Sequence, residues 1–237
     1  MKQQFLRGLK AGIPIALGYL PVGFGFGILA ASLGISPMVA WVISATNLTS
    51  AGQVAGVGII AAAGSYLEMA VSQLVINIRY SLMALSLSQK LDSSFTTTQR
   101  LLLAHGITDE IFAVAYDEAC RENGRVTPVY MYGLLCMGFF SWTTGSILGA
   151  AAGTVLPATL TDAMGIMLYA MFLAVVLPAA RKSKGVLMAS ILAAAISILF
   201  YYVITAVSSG FAIIISAICA AAVCAALFPI PEEEDPA

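Results

Sequence analysis

Charge is what this sequence most lacks: Asp, Glu, Lys and Arg make up 10% of it, against 60% hydrophobic residues and a mean hydropathy of +0.94. So few charges cannot cover a soluble fold, which excludes a water-soluble globular protein and leaves an integral membrane protein. The longest hydrophilic stretches, around Lys90 to Arg100 and Arg121 to Arg125, are too short to fold alone, so 1–237 reads as one transmembrane domain. No run of Lys or Arg accompanies the net charge of −1, which removes nucleic acid as a partner and leaves the lipid bilayer. Histidine occurs once, as His105, too little for a zinc cage or for the usual parts of a Ser-His-Asp triad. Cys120, Cys136, Cys219 and Cys224 show no metal spacing, and three of them sit in apolar runs where cysteine packs as a small hydrophobe. A phosphate loop of the Gly-x-x-x-x-Gly-Lys form is missing, and with it the usual ATP machinery. No metal, no cofactor and no enzymatic activity are expected.

Apolar runs are plentiful. Read against their Gly, Pro and polar punctuation, they predict an all-α membrane protein with spans near 12–34, 37–62, 66–88, 101–119, 130–155, 162–180, 185–206 and 209–228. That gives about eight transmembrane helices; a seven-span count or a re-entrant second segment is the alternative. Lys2, Arg7 and Lys10 resemble the start of a signal peptide, but the apolar run after them is too long for one, which predicts an uncleaved first span. By the positive-inside rule both termini are cytoplasmic, and eight crossings bring Arg121, Arg125, Arg181, Lys182 and Lys184 to the same side. Lys90 and Arg100 dissent, falling outside. The acidic tail, 229–237, reads as a solvated cytoplasmic extension. Gly27-Ile-Leu-Ala-Ala-Ser-Leu-Gly34 echoes Gly145-Ser-Ile-Leu-Gly-Ala-Ala-Ala-Gly153, which suggests internal repeats over 12–119 and 126–228.

The few charges inside spans carry the functional signal. A charge at the bilayer centre costs about 2.5–3.5 kcal/mol on insertion scales, so such residues face a bundle interior and mark a substrate or ion path. Arg79 falls in the middle of 66–88, and Asp109 and Glu110 in the middle of 101–119, so all three share one depth and meet if the two helices are neighbours. The same residues also read as a permanent ion pair that fixes helix register. Glu68, three turns before Arg79, is expected at the interface. His105, one turn before Asp109, is placed either to relay protons or to make a structural hydrogen bond near a span end.

The second segment holds a polar patch at its centre, Asn47-Leu-Thr-Ser-Ala-Gly-Gln53. Backbone can unwind at membrane depth only where it is buried in protein or lines a watery cavity, so the patch predicts a broken helix whose freed amides bind a substrate carboxylate. A continuous helix whose Thr49, Ser50 and Gln53 glue neighbours together is the alternative. Two further segments, Pro21-Val-Gly-Phe-Gly-Phe-Gly27 and Ser141-Trp-Thr-Thr-Gly145, read as close-packing faces or cavity linings.

At Asn77-Ile-Arg-Tyr-Ser-Leu-Met-Ala-Leu-Ser-Leu-Ser-Gln-Lys-Leu91 and Gly106-Ile-Thr-Asp-Glu-Ile-Phe-Ala-Val-Ala115 the chain resembles the AzlC family of branched-chain amino acid permeases. The resemblance extends to Gly12-Ile-Pro-Ile-Ala-Leu-Gly-Tyr-Leu-Pro-Val-Gly-Phe-Gly-Phe-Gly27 and to the Gln-containing centre of the second segment. It implies export of leucine, isoleucine, valine and close analogues across a bacterial plasma membrane, together with a small AzlD-type membrane subunit. Matched by motif, Gln53, Asn77, Arg79, Thr108, Asp109 and Glu110 become the implied functional positions. The patch departs from the Ala-Gly-Ala-Ser-Gln of many relatives, and Tyr80 stands where some have histidine. With Asn47 and Ser50 added from the broken segment, the expected substrate-binding set is Asn47, Ser50, Gln53, Asn77, Arg79, Thr108, Asp109 and Glu110. The expected proton-coupling set is Asp109, Glu110 and His105. The rival expectation is a membrane scaffold that only assembles another carrier; an intramembrane enzyme is disfavoured, because adjacent helical residues such as Asp109 and Glu110 point about 100° apart.

Overall fold

The computed structural model describes residues 1–121, 125–157, 159, 170, 173, 176–204 and 206–228. Its helices are α1 (Lys2–Ser32), α2 (Pro37–Thr46), α3 (Ser50–Ala61), α4 (Tyr66–Ser88), α5 (Thr97–Ala104), α6 (Asp109–Arg121), α7 (Pro128–Gly153), α8 (Lys184–Tyr202) and α9 (Ser209–Leu227). Five of these, α1, α4, α7, α8 and α9, are long and apolar enough to cross a membrane. The protein is an all-α membrane protein, as composition requires. The expected span 162–180 falls largely, and the tail 229–237 wholly, outside the described residues.

Helices α1 and α7 form the spine. Gly8 lies against Tyr130 and Leu134, Gly12 against Met137, Gly23 against Trp142 and Ser146, and Gly27 against Ser146 and Ala150. Residue numbers rise together along both helices, so the two run parallel. Gly133, Gly145 and Gly149 return the contact, facing Phe5, Leu20 and Phe24. With no Cβ on either side the backbones touch, the packing that small residues permit in lipid. The glycine-rich stretch of the first span is therefore a packing face.

The second segment breaks where its polar patch predicts. Thr46 ends α2, Asn47 to Thr49 are non-helical, and Ser50 starts α3. The two halves do not continue in one direction. Gln53 Nε2 of α3 donates to Ser44 Oγ of α2 at 2.7 Å across the break, a contact that residues nine apart in a straight helix cannot make, and Ala40 and Val57 pack in one cluster with Phe26 and Ala150. Along α4, Gly52 faces Gln73 and Asn77, Gly56 faces Met69 and Gln73, and Gly64 faces Glu68, so α3 returns to the face where α2 began. The segment is a re-entrant hairpin.

The fourth segment does the same from the opposite face, which corrects its expected reading as one span over 101–119. At about 1.5 Å per residue, α5 is roughly 12 Å long and α6 roughly 20 Å, each too short to cross about 30 Å of hydrocarbon. Their outer ends meet: the Asp92 N–H donates to Val126 O and the Val126 N–H donates to Lys90 O, joining the α4–α5 and α6–α7 loops in a single bridge. Glu118 near the end of α6 pairs with Arg7 near the start of α1 at 2.7 Å. The helix stops at His105 and restarts at Asp109, with the Thr108 hydroxyl accepting the Ile111 N–H in N-cap fashion.

These hairpins remove the conflict left by eight crossings. Lys90, Arg100, Arg121 and Arg125 now share the face of Lys2, Arg7 and Lys10. The opposite face carries Glu68. Glu68, expected at the interface, lies in the first turn of α4 and is buried against protein, where its carboxylate accepts from Ser208 Oγ at 2.5 Å and from the Gly210 N–H at 2.9 Å. It thereby caps the start of α9, where the helix dipole favours an anion. That contact fixes the start of α9 beside the start of α4, and Gly185 of α8 lies against Phe228 past the end of α9. Lys184 at the head of α8 therefore lies at the N-terminal face too.

Candidate functional site

The two hairpin tips meet between α1, α4 and α7. His105 joins them, its Nε2 lying 2.9 Å from Ala45 O, a carbonyl left without a helical partner where α2 stops. Beside the junction lies a cavity of about 520 Å³, lined by Ile15, Gly18, Tyr19 and Val22 of α1, Leu48, Ser50 and Ala51 of the first tip, Arg79 and Tyr80 of α4, Thr108, Asp109 and Glu110 of the second tip, and Trp142 of α7.

One end is charged. Arg79 Nη1 lies 2.6 Å from Asp109 Oδ2, while Arg79 Nη2 donates to the Tyr80 hydroxyl at 2.9 Å. Both partners line the cavity and neither is fully buried, with side chains 47% and 40% exposed. Tyr19 donates its hydroxyl proton to Glu110 Oε2 at 2.6 Å, so the Thr108 hydroxyl, 2.5 Å away, must donate to the Tyr19 oxygen. Two buried polar atoms of the lining, Ser50 Oγ and Asp109 Oδ1, have no hydrogen-bond partner among the described residues. Buried polar atoms normally have partners, so both are open to a ligand or to water. Because α3 and α6 both begin at their tips, two helix N-termini open towards this space. Asp109 and Glu110 occupy the first turn of α6, whereas the first turn of α3 carries no acid.

The other end is aromatic and aliphatic. Trp142 packs edge-on against Tyr19, with ring centroids 5.3 Å apart, and Ile15, Val22 and Leu48 complete the wall. Trp142 Nε1 donates to Gln53 Oε1, Gln53 Nε2 donates to Ser44 Oγ, and Ser44 Oγ donates to Ser146 Oγ, each at 2.7 Å. Ser146 Oγ then donates to Trp142 O at 2.9 Å, closing the ring.

Of the expected substrate-binding residues, the structure brings Ser50, Arg79, Thr108, Asp109 and Glu110 to the cavity wall. Three lie elsewhere. Gln53 is wholly buried and its amide is engaged by Trp142 and Ser44. Asn47 and Asn77 both donate to Gln73 Oε1, and the Gln73 Nε2 donates to Gly52 O, so this group splints the first tip to α4. His105 joins the tips and does not line the cavity. Sequence reasoning passed over Tyr19 and Gln73, and met Tyr80 only as a departure from relatives that have histidine there. Tyr19 and Gln73 each carried a signal, being polar groups well inside apolar runs.

Relatives place the chain. A family model described as AzlC protein matches residues 14–156. The "Inner membrane protein YgaZ" of Escherichia coli (strain K12) is 30% identical over 197 residues, covering 81% of this chain and 80% of that protein. An "Uncharacterized membrane protein" of Archaeoglobus fulgidus is 32% identical over 176 residues, covering 73% and 75%. Another from Helicobacter pylori (strain J99) is 32% identical over 155 residues, covering 63% and 66%. No solved structure matches. With hairpin tips, cavity and glycine spine all inside or bordering the matched region, this chain is a membrane protein of the AzlC family, a transporter-type family rather than an enzyme family.

Proposed function

We propose that this protein is a secondary transporter that exports leucine, isoleucine, valine and close analogues, coupled to protons and working with a small AzlD-type membrane subunit. The observation that carries the reading is the cavity's division into two ends at the hairpin tips. Arg79, Asp109 and Glu110 offer opposite charges for the two ends of a zwitterion, and Ile15, Val22, Leu48 and Trp142 offer an apolar wall for a branched side chain. In this reading the substrate carboxylate displaces Asp109 from Arg79 and reaches Ser50 at the open start of α3, as anions bind at helix N-termini. Asp109 or Glu110 takes the ammonium or the proton. One charge crossing 100 mV supplies about 2.3 kcal/mol, enough for roughly a fifty-fold gradient, so one proton per substrate suffices for modest export.

Leucine counterflow in proteoliposomes tests it, with the chain alone and with a candidate small subunit, and with a proton ionophore added. Counterflow without a membrane potential, and net export abolished by the ionophore, are expected. No counterflow in either setting would leave the scaffold role.

We also place the N-terminal face in the cytoplasm of a bacterial plasma membrane, since every Lys and Arg except Arg79 gathers there, and retention of positive loops inside orients membrane proteins. Cysteine labelling from each side of sealed vesicles checks both this and the hairpins. A Ser94→Cys variant and the native, exposed Cys120 should react from the same side. Labelling from opposite sides would restore a crossing between them.

A further inference from the structure

We propose that Trp142 is the residue that sets the size of side chain this carrier accepts, and that Gln53 acts as its positioning residue rather than as a substrate ligand. The inference rests on the transporter reading and adds to it the determinant of selectivity.

Tyr19 is the ruler. Its hydroxyl sits at the charged end, bonded to Glu110 and Thr108, and its ring lies edge-on to Trp142 at 5.3 Å. A zwitterion held at Arg79 and Glu110 therefore extends its side chain past one tyrosine ring and meets the indole. What stops there depends on whether the indole can yield.

The closed ring of hydrogen bonds prevents it from yielding. It starts at the indole N–H of Trp142, runs through Gln53, Ser44 and Ser146, and ends on the Trp142 backbone carbonyl, so the indole is tied to its own main chain. Gln53, Ser44 and Ser146 are all fully buried. Rotating the indole would strand the Gln53 carbonyl and the indole N–H in a site that water does not reach, which such networks strongly disfavour. The first hairpin supplies Ser44 and Gln53 from the two sides of its break, so the break itself aims the glutamine at α7. Residues outside this ring do not duplicate it: Ile15, Val22 and Leu48 carry no polar group that could be tied in the same way, so the indole is the part of the wall that hydrogen bonds hold in place.

The test is the ratio of counterflow kcat/KM for leucine to that for phenylalanine, measured for the wild type, Trp142→Phe and Gln53→Met. Wild type should favour leucine. Trp142→Phe shortens the wall while keeping an aromatic edge for Tyr19, and the ratio should fall about ten-fold or more, the scale on which a pocket discriminates a few methylenes. Gln53→Met keeps the tryptophan and unties it, so its ratio should fall between the two whatever its absolute rate. If Trp142→Phe does not insert, Gln53→Met decides alone. A wild-type ratio retained in both variants, or in Gln53→Met alone in that case, overturns the assignment and leaves Trp142 as packing; so does a wild type that moves both amino acids equally, or loss of insertion in both variants. Absence of any leucine counterflow in the wild type overturns the transporter reading itself, and is distinguishable because it precedes any comparison of ratios.

Discussion

Gly149→Val will not fold. A side chain at this position of α7 would occupy the space of the Phe24 main chain on α1, meeting its carbonyl oxygen, carbonyl carbon and Cα together. One level away, Gly145 faces the Leu20 carbonyl and Gly27 faces Ser146 and Ala150, so no local bend of α1 clears room without forcing the next contact. Overpacking against flexible side chains costs about 1–3 kcal/mol. Here the obstacle is backbone inside two hydrogen-bonded helices, so the cost should exceed about 4 kcal/mol, a large share of the roughly 5–15 kcal/mol that holds a typical domain together. Detergent extracts analysed by size exclusion should lose the monodisperse peak for Gly149→Val. The control is Gly58→Ala, since a Cβ there meets nothing within 4 Å, and it should elute as wild type apart from a helix-propensity gain. A monodisperse Gly149→Val protein at wild-type yield would mean that α1 and α7 do not pair in this register.

That pairing bears on what the sequence discloses. The echo between Gly27–Gly34 and Gly145–Gly153 lies where the parallel helices α1 and α7 run side by side, Gly27 facing Ser146 and Ala150. Close packing of small residues along this seam accounts for the similarity by itself. The first break was legible because Asn47, Thr49 and Gln53 interrupt an otherwise apolar run, and polarity at that depth has few uses. The second was harder to see. His105, Gly106 and Thr108 look like ordinary mid-span small or polar residues, although Thr108 followed by Asp109 and Glu110 is a helix start in pattern, and Thr96 with Gln99 is a capping box at the start of the preceding helix. Reading 101–119 as one span nevertheless gave Asp109 and Glu110 the right depth, because the tip of a half-depth hairpin and the midpoint of a crossing lie at the same level. Hairpin direction was not legible. It depends on the bridge between Leu91 and Val126, two residues unremarkable in sequence. Gln53 illustrates the limit for the site: a buried amide in a broken helix reads as a ligand group until the positions of Trp142 and Ser44 are known.

Arg79→Ala should abolish transport while leaving a folded protein, and the distinction follows from where the pair sits. Removing one partner of a fully buried ion pair costs about 3–5 kcal/mol, which would favour loss of the protein. Arg79 and Asp109 both line the cavity and neither is fully buried, so the penalty should be below that figure. Asp109 keeps its place at the first turn of α6, where the helix N-terminus favours an anion even without the arginine. The transport role has no such substitute. Among the described residues Arg79 is the only Lys or Arg on the cavity wall, and Tyr80, which it also holds, cannot replace it as a cation for a substrate carboxylate. Leucine counterflow by Arg79→Ala should therefore drop at least about a hundred-fold, on the scale of losing one charged contact worth roughly 3 kcal/mol. Arg79→Lys should recover part of it, a point charge in place of a two-pronged one. The double variant Arg79→Gln with Asp109→Asn removes both charges at once. If the pair only fixes helix register, this neutral pair should insert and transport near the wild-type rate; if the pair opens to admit substrate, it should insert and remain inactive. Size exclusion and counterflow on the same preparations separate those outcomes, and a double variant exporting leucine at full rate would remove Arg79 and Asp109 from the transport cycle.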